Sequence, residues 1–307
     1  MIDLVALQSL RAVRSHGSVV AAAEVLGFTP SAVSQQIKKL ERQTGSAVLE
    51  RYGRGVLLTD HGERLADQGA DLLDRMEQIE SDLHSAGSVV GGRLRVAAFS
   101  TAVRGLVAPT LSLIAADGYD LEVSLVELDP PLGMEAVASG QVDVALVHQW
   151  GDTVLAHPEH VEVTPIGVDV ADILVPVHHP LARRSSVTPA DLVGEVFASA
   201  PVGSVCHEWL SRMFVALGGP PRVSFWAAEW SSHISLVGHG AAVSLIPRLG
   251  REQLPDTVRV LRVRDPVPTR EVSLAWRRSM GSSPNIRYLR DVLVELAPEL
   301  GLRAAAG

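Results

Sequence analysis

The chain has 307 residues, 47% hydrophobic and 20% charged, the balance of a soluble globular protein with two or three domains of about 100–150 residues. A typical apolar run, 105–116, is well short of the ~18–20 uncharged residues of a spanning helix. The opening Met-Ile-Asp-Leu-Val is no secretory leader, so a membrane partner is excluded and the cytoplasm is expected.

Cys206 is the only cysteine, which leaves no intramolecular disulfide and no thiolate-rich metal site. The net charge of −8 hides an asymmetry: residues 1–59 carry seven Lys/Arg against four Asp/Glu, so their net +3 leaves −11 on the rest. A basic end on an acidic body points to a local contact with a polyanion.

In chain order, Leu4, Leu7, Leu10 and Val13 recur at helical spacing and stop at His16-Gly17. Ser18 caps a second helix, Val19 to Leu26, ended by Gly27. Thr29 caps a third, with Pro30 in its first turn, running to about Gln43 before Gly45. Two short helices joined by Gly27-Phe28-Thr29 outline a helix-turn-helix. Leu49–Arg51, Tyr52-Gly53-Arg54-Gly55 and Val56–Leu58 then read as a two-stranded wing.

From Thr59 to about Gly87 a single long helix is expected. Leu65, Leu72, Leu73, Met76, Ile79 and Leu83 form an apolar seam with no obvious partner in the small N-terminal domain, so a second copy of the chain should cover it. Gly87–Gly92 reads as a linker. Strands and helices then alternate: a strand at Arg93–Phe99 and a helix from Thr101, Leu121–Glu127 with a helix near Met134–Ser139, then Val142–Val147 and Asp172–Val177. A turn near Ala190–Leu192, Phe197–Ala200, a helix at Cys206–Leu217, Val223–Ala227, a helix near Ser232–Gly238 and Val243–Ile246 follow. Such alternation argues for a parallel-sheet α/β architecture.

The third helix carries the most information. Val33, Ile37 and Leu40 face the core with Leu10, Ala22 and Leu26, which turns Ser31, Ser34, Gln35, Lys38 and Arg42 outward. That set suits a major groove: Gln can bond adenine in bidentate fashion, Ser can donate to base or phosphate, and Lys and Arg neutralise phosphates or read guanine. A solvated amphipathic helix would show a similar face, but the turn, the wing and the local basicity coincide here. The expected DNA-binding set is Thr29, Ser31, Ser34, Gln35, Lys38 and Arg42, with Arg51 and Arg54 of the wing on the neighbouring backbone.

At these residues a family becomes visible. Ala21-Ala22-Ala23 with Leu26, Pro30–Ser34, Ile37–Glu41, Gly45, Arg51, and Leu58-Thr59 with Gly62 resemble the DNA-binding domain of LysR-type transcriptional regulators. Weaker resemblances follow in order at Gly140–Leu146, His179-Pro180-Leu181 and Val237–Pro247. One departure is Val48-Leu49, where the family usually has Leu-Phe; Leu49 is expected to pack in its place. The resemblance implies a winged helix-turn-helix over 1–59, a linker and dimerisation helix over 60–87, and an effector-binding domain over 88–307. That last domain would resemble a periplasmic binding protein, with subdomain I at about 92–165 and 268–303 and subdomain II at about 166–267. It also implies a tetramer. Double-stranded DNA, further copies of the chain, an unidentified small-molecule effector and RNA polymerase are the expected partners, with no cofactor and no metal.

Ligands of open α/β sheets sit beyond the strand C-termini. Ser100-Thr101 and Gly203-Ser204 would each open a helix there, which suits a small organic anion, though both serines could be ordinary caps. Trp150, Trp226 and Trp230 fall near strand ends and could line an aromatic site or belong to the core. With Glu127 and His148 these make the expected effector set. Two other classes are weighed. Cys206-His207 invites a thiol enzyme, but adjacent helical residues point about 100° apart and cannot form a nucleophile–base pair, so no catalytic residue is assigned. A plain solute-binding protein is opposed by the DNA-binding N-terminus and the missing leader.

Overall fold

The computed structural model describes residues 2–53, 55–85, 89–151 and 155–304, the side chains of 74, 80, 81 and 83–85 excepted. The first three helices, α1 (Leu4–His16), α2 (Val19–Leu26) and α3 (Pro30–Thr44), each begin on a capping side chain. Asp3 accepts from the N–H groups of Val5 and Ala6, Ser18 from Val20 and Ala21, and Thr29 from Ala32. Each helix ends on a glycine with positive φ, a conformation side-chain-bearing residues avoid. Leu7, Leu10, Val13, Ala22, Ala23, Val33, Ile37 and Leu40 make the core, with Leu26 only partly buried at its edge.

The wing pairs β1 (Leu49–Tyr52) with β2 (Gly55–Leu58), Leu49 opposite Leu58. Val48 is fully buried in the core and Leu49, half-buried, packs against it, as expected at this departure from the family pattern. Arg54 lies outside the described residues. The long helix α4 (Asp60–Ser85) starts hard against the wing. A Cβ at Gly62 would meet the Val48 carbonyl oxygen at 2.1 Å, so only glycine permits that approach.

The seam on α4 is divided, which corrects the expectation that all of it lacks a partner. Leu65, Ala66 and Leu73 join the core under α1, and Gly69 presses on Leu7. Leu72 and Ile79 stay exposed at 48% and 47%, and Met76 is half-buried. At 100° per residue, Leu72 and Ile79 continue the face of Leu65 within about 20–40°, but α1 covers Leu65 and leaves these two at the surface. The side chain of Leu83 and residues 87–88 of the expected linker lie outside the described residues.

The larger domain opens with β3 (Gly92–Ala98), followed by α5 (Ser100–Ala102), a widened π turn at Val103–Val107 and α6 (Ala108–Ala116) in one continuous run. β4 (Leu121–Glu127), α7 (Pro130–Ala138) and β5 (Val144–Trp150) complete the first βαβ succession. The helix expected near Met134 starts four residues earlier, because Pro130-Pro131 opens it where backbone N–H groups need no partner. Then come β6 (Val161–Pro176), β7 (Ser186–Val187), β8 (Val196–Ser199), α8 (Val205–Phe214), β9 (Arg222–Trp226) and α9 (Trp230–Gly238). β10 (Ser244–Pro247), β11 (Val258–Val263), β12 (Thr269–Arg277) and α10 (Pro284–Leu296) finish the chain.

The main sheet runs β4-β3-β5-β12-β6-β11-β7, with β10 also on β6. β3 is parallel to β4 and β5, and β8 is parallel to β9, as the alternation predicts. β12 is antiparallel to both β5 and β6, and β10 and β11 are antiparallel to β6. The sheet is therefore mixed rather than parallel. No helix separates β10, β11 and β12 to mark their direction in the sequence, and β11, antiparallel to β6 on one side, is parallel to β7 on the other. β6 runs unbroken through the expected first crossing at 165–166 and ties two cores together. One core gathers Leu94, Val96, Leu106, Leu274 and Leu293, the other Trp150, Ile173, Phe197, Met213 and Val263.

Candidate DNA-reading surface and effector cleft

On α3 the buried stripe of Val33, Ile37 and Leu40 fixes the rotation of the helix. Ser31, Gln35, Lys38 and Arg42 are consequently exposed and Ser34 is half-exposed. Gln35, Lys38 and Arg42 line one open groove with Gly45, Ser46 and Ala47, and Arg51 is exposed on the wing. Thr29 is exposed too, with its hydroxyl engaged as the cap of α3. The helix is braced from behind. Glu41 accepts the backbone N–H of Val48 at 3.1 Å, tying α3 to the wing, and Gln43 accepts from Asp3 N–H at 3.1 Å. Lys39, next in sequence to Lys38 of the reading face, is paired with Asp3. A lysine count alone cannot separate this brace from Lys38.

In the larger domain a cavity of about 320 Å³ lies between the N-terminal turn of α7 and that of α8. Asp129, Pro130, Pro131 and Leu132 form one wall, Pro201 to Cys206 the other, and His148 lies between them. Of the expected effector residues, His148, Gly203 and Ser204 line this cavity; Ser100, Thr101, Glu127, Trp150, Trp226 and Trp230 do not. Ser204 caps α8 by accepting from His207 N–H at 3.2 Å while also facing the cavity. Glu127 is exposed on the edge strand β4. Trp230 packs beside Ile234 and Leu174, and Trp226 is half-exposed against the ring of His207.

Thr101 and Trp150 are buried behind the cleft, around an arginine that the sequence reading did not single out. Arg270, 1% exposed, pairs with the equally buried Asp169 at 2.8 Å and donates to Thr101 Oγ1 at 2.7 Å. Its guanidinium lies 5.0 Å from the Phe99 ring centre and 5.6 Å from that of Trp150. Asp169 also accepts the Leu249 N–H at 3.0 Å, so one buried pair links α5, β12, β6 and the segment after β10. Alternation of apolar residues cannot announce such a charge, since an arginine inside a strand reads as an outward-facing position.

This arrangement sets the protonation of the cleft. Burial, and then the charge of Arg270, hold the His148 imidazole well below its usual range, so it is neutral at physiological pH. Burial pushes the Cys206 thiol up, only partly opposed by Arg270. His207 does not face that thiol: its Nδ1 lies 3.2 Å from Ser199 Oγ and its Nε2 3.4 Å from Ser211 Oγ.

The two domains also touch. Arg11 on α1 donates to the Ser139 carbonyl at 2.9 Å, just beyond α7. Arg277, 1% exposed, donates to the Val137 and Val142 carbonyls and pairs with Glu77 of α4 at 2.6 Å. Burial raises the Glu77 carboxyl, but the bonds and charge of Arg277 outweigh it and leave the group below its ordinary value.

Comparison with known proteins matches this division of labour. Residues 4–63 match the bacterial regulatory helix-turn-helix proteins of the LysR family, and residues 87–298 the LysR substrate binding domain. A probable HTH-type transcriptional regulator, LrrA of Synechococcus elongatus, is 28% identical over 300 residues, covering 97% of this chain and 98% of its own. The hydrogen peroxide-inducible genes activator of Haemophilus influenzae is 26% identical, covering 92% and 93%. A full-length OxyR variant from Pseudomonas aeruginosa shares the fold with a TM-score of 0.69 at 22% identity, covering 95% of each chain. With a capped, braced reading helix at one end and a two-walled cleft at the other, the chain belongs to the LysR family of transcriptional regulators.

Proposed function

We propose that this regulator reads its operator with Ser31, Ser34, Gln35, Lys38 and Arg42 of α3, and contacts the flanking backbone with Arg51. Its operator binding then responds to a compact small molecule held between α7 and α8. The observation that carries this is the cavity itself. Its walls are carried by helices of two different packing clusters, α7 on that of Met134, Val137 and Ala145 and α8 on that of Leu210, Met213 and Phe214, so a single ligand touches both and favours one setting of the cleft over another. The volume of about 320 Å³ is at the small end of ligand sites. Pro130, Leu132, Pro201, Val202 and Val205 suit an apolar body. The N-terminus of α8, with Ser204 and the neutral His148, suits one polar or anionic end.

Two other readings have less support. The names of several relatives invoke hydrogen peroxide. Attack on peroxide needs a thiolate, and the single thiol here, Cys206, is held protonated by burial. A thiol enzyme needs a base at Cys206, and His207 is engaged with Ser199 and Ser211 instead. The proposal therefore includes no catalytic role, and RNA polymerase is the partner through which operator occupancy would act on transcription.

The test is a thermal-shift screen of the full chain against small carboxylates and neutral metabolites, repeated on Val205→Trp, which fills the cavity. A ligand of the cleft raises the melting temperature of the parent by mass action and leaves the variant unmoved. The same compound should change operator affinity in the parent alone. Stabilisation that survives the tryptophan undiminished places the ligand elsewhere and sinks the reading.

A further inference from the structure

A second cavity, of about 350 Å³, shares no residue with the cleft. Four arginines line it: Arg248, Arg262, Arg264 and Arg303, with Ser185 and Ser186 at one side and Val170 and Val263 buried beneath. No carboxylate is among the lining residues. Such a concentration is unexpected on the acidic part of the chain, which carries net −11 beyond residue 59.

The local charges do not cancel. Asp172 is 3% exposed and takes both Arg248, at 2.6 Å, and Arg251, at 3.0 Å, so one carboxylate serves two guanidinium groups. Among the described residues Arg262, Arg264 and Arg303 are exposed and have no hydrogen bond or ion pair from their side chains. Like charges gathered around one concavity repel, and an anion held among them relieves that repulsion. Guanidinium groups present planar pairs of N–H donors that match the oxygens of phosphate and carboxylate.

Position in the fold narrows the role. Arg262 and Arg264 belong to β11 and the residue just beyond it, on the side of the second core. Arg303 is held on β6 by paired backbone bonds with Val168, at 2.8 and 2.9 Å, next to the first core. Arg248 follows β10 and donates its backbone N–H to the Val170 carbonyl at 2.8 Å. The four thus converge where β6 passes from one core to the other.

We propose that this pocket is a second ligand site, for a compact oxyanion carrying two or more negative charges, a phosphoryl compound or a polycarboxylate. The anion bridges arginines of both halves of the larger domain and so fixes the angle between them independently of the cleft. Because the cleft is not involved, the site stands or falls separately from the effector reading above.

The experiment is calorimetric titration of the full chain with inorganic pyrophosphate at constant ionic strength, with citrate as a second arm. The DNA-reading face is also basic, so two sets of variants are compared. Arg262→Ala/Arg264→Ala and Arg303→Ala remove exposed side chains without bonded partners and should fold normally. They should weaken a saturable, one-to-one binding at least tenfold, while Lys38→Ala/Arg42→Ala leaves it unchanged. Citrate binding in the same range includes polycarboxylates in the ligand class, and citrate binding tenfold weaker restricts the class to phosphoryl groups. Absence of saturable binding of either anion overturns the proposal, as does binding lost in the Lys38/Arg42 variant but kept in the pocket variants.

Discussion

Single side chains divide here into those whose role follows from spacing and those whose role follows from what surrounds them. Gln35 and Ser34 are of the first kind: the period of Val33, Ile37 and Leu40 by itself turns them outward. Gln35→Ala should cost about 1–3 kcal/mol on the specific operator and far less on random DNA, as a lost base contact does. Equal losses in gel-shift titrations on both DNAs would reduce Gln35 to a phosphate contact. His148 is of the second kind. Its sequence position announces a strand end, but its depressed pKa comes from burial and from Arg270, which is 122 residues away in sequence. A histidine whose folded pKa lies below the unfolded value of about 6.5 contributes stability that is complete above that value and is lost as pH falls toward the folded pKa. Burial lowers His233 in the same direction. Urea unfolding should therefore show stability falling below pH ~6.5 by up to about 1.4 kcal/mol per pH unit for each such histidine. His148→Gln should flatten the slope, and an unchanged slope would show that His148 titrates normally.

At the scale of elements, α4 shows how far periodicity carries. The spacing of its apolar residues promises one continuous seam. What a one-dimensional pattern cannot hold is the crossing of α1, which takes Leu65 and Leu73 and leaves Leu72 and Ile79 at the surface. Those two remain the place where a second subunit should pack. Leu72→Asp/Ile79→Asp buries two carboxylates in that contact unless the subunits separate. The expected outcome is a smaller species in sedimentation velocity and weakened operator binding, with the larger domain still folded. A variant of parental size and full affinity would remove α4 from the assembly. The other face of α4 carries Glu77, whose partner Arg277 is almost fully buried. Glu77→Gln leaves that guanidinium only the more distant Asp143, at 3.9 Å, as a counter-charge, at a cost of at most about 3 kcal/mol, the low end for a broken buried pair. That cost should appear as a fall in melting temperature, which Asp82→Asn, whose bond to Ser282 is exposed, should not reproduce. Equal shifts for both would make the Arg277 pair an ordinary surface contact.

For the whole molecule, the order of domains and the presence of α/β succession are written in the chain, because capping residues, glycine stops and alternation are local signals. The sheet is less legible. A 16-residue strand containing Pro165 and Gly167 looks like several short ones, and three strands in a row after α9 carry no helix to mark their direction. The cleft was half-legible for the same reason. Strand ends pointed to the loops after β4 and β8, but which residues line the cavity depends on α7 starting at Pro130 and on Arg270 occupying the space behind it.

α7 places its first turn in the cleft and its last turn on Arg277, the residue that also grips Glu77 on α4. Nine residues at 1.5 Å each make a rod about 13 Å long. Tilting such a rod by about 5° displaces its far end by about 1 Å, more than a 2.6 Å hydrogen bond at Val137 can absorb and still count as one. Arg277 must then travel with the rod or let go of Glu77. A ligand held in the proposed cleft would in that sense work α7 as a lever, with the DNA-binding domain hung from its other end. Its stiffness, more than the tightness of the cleft, would then set how much of a binding event arrives there.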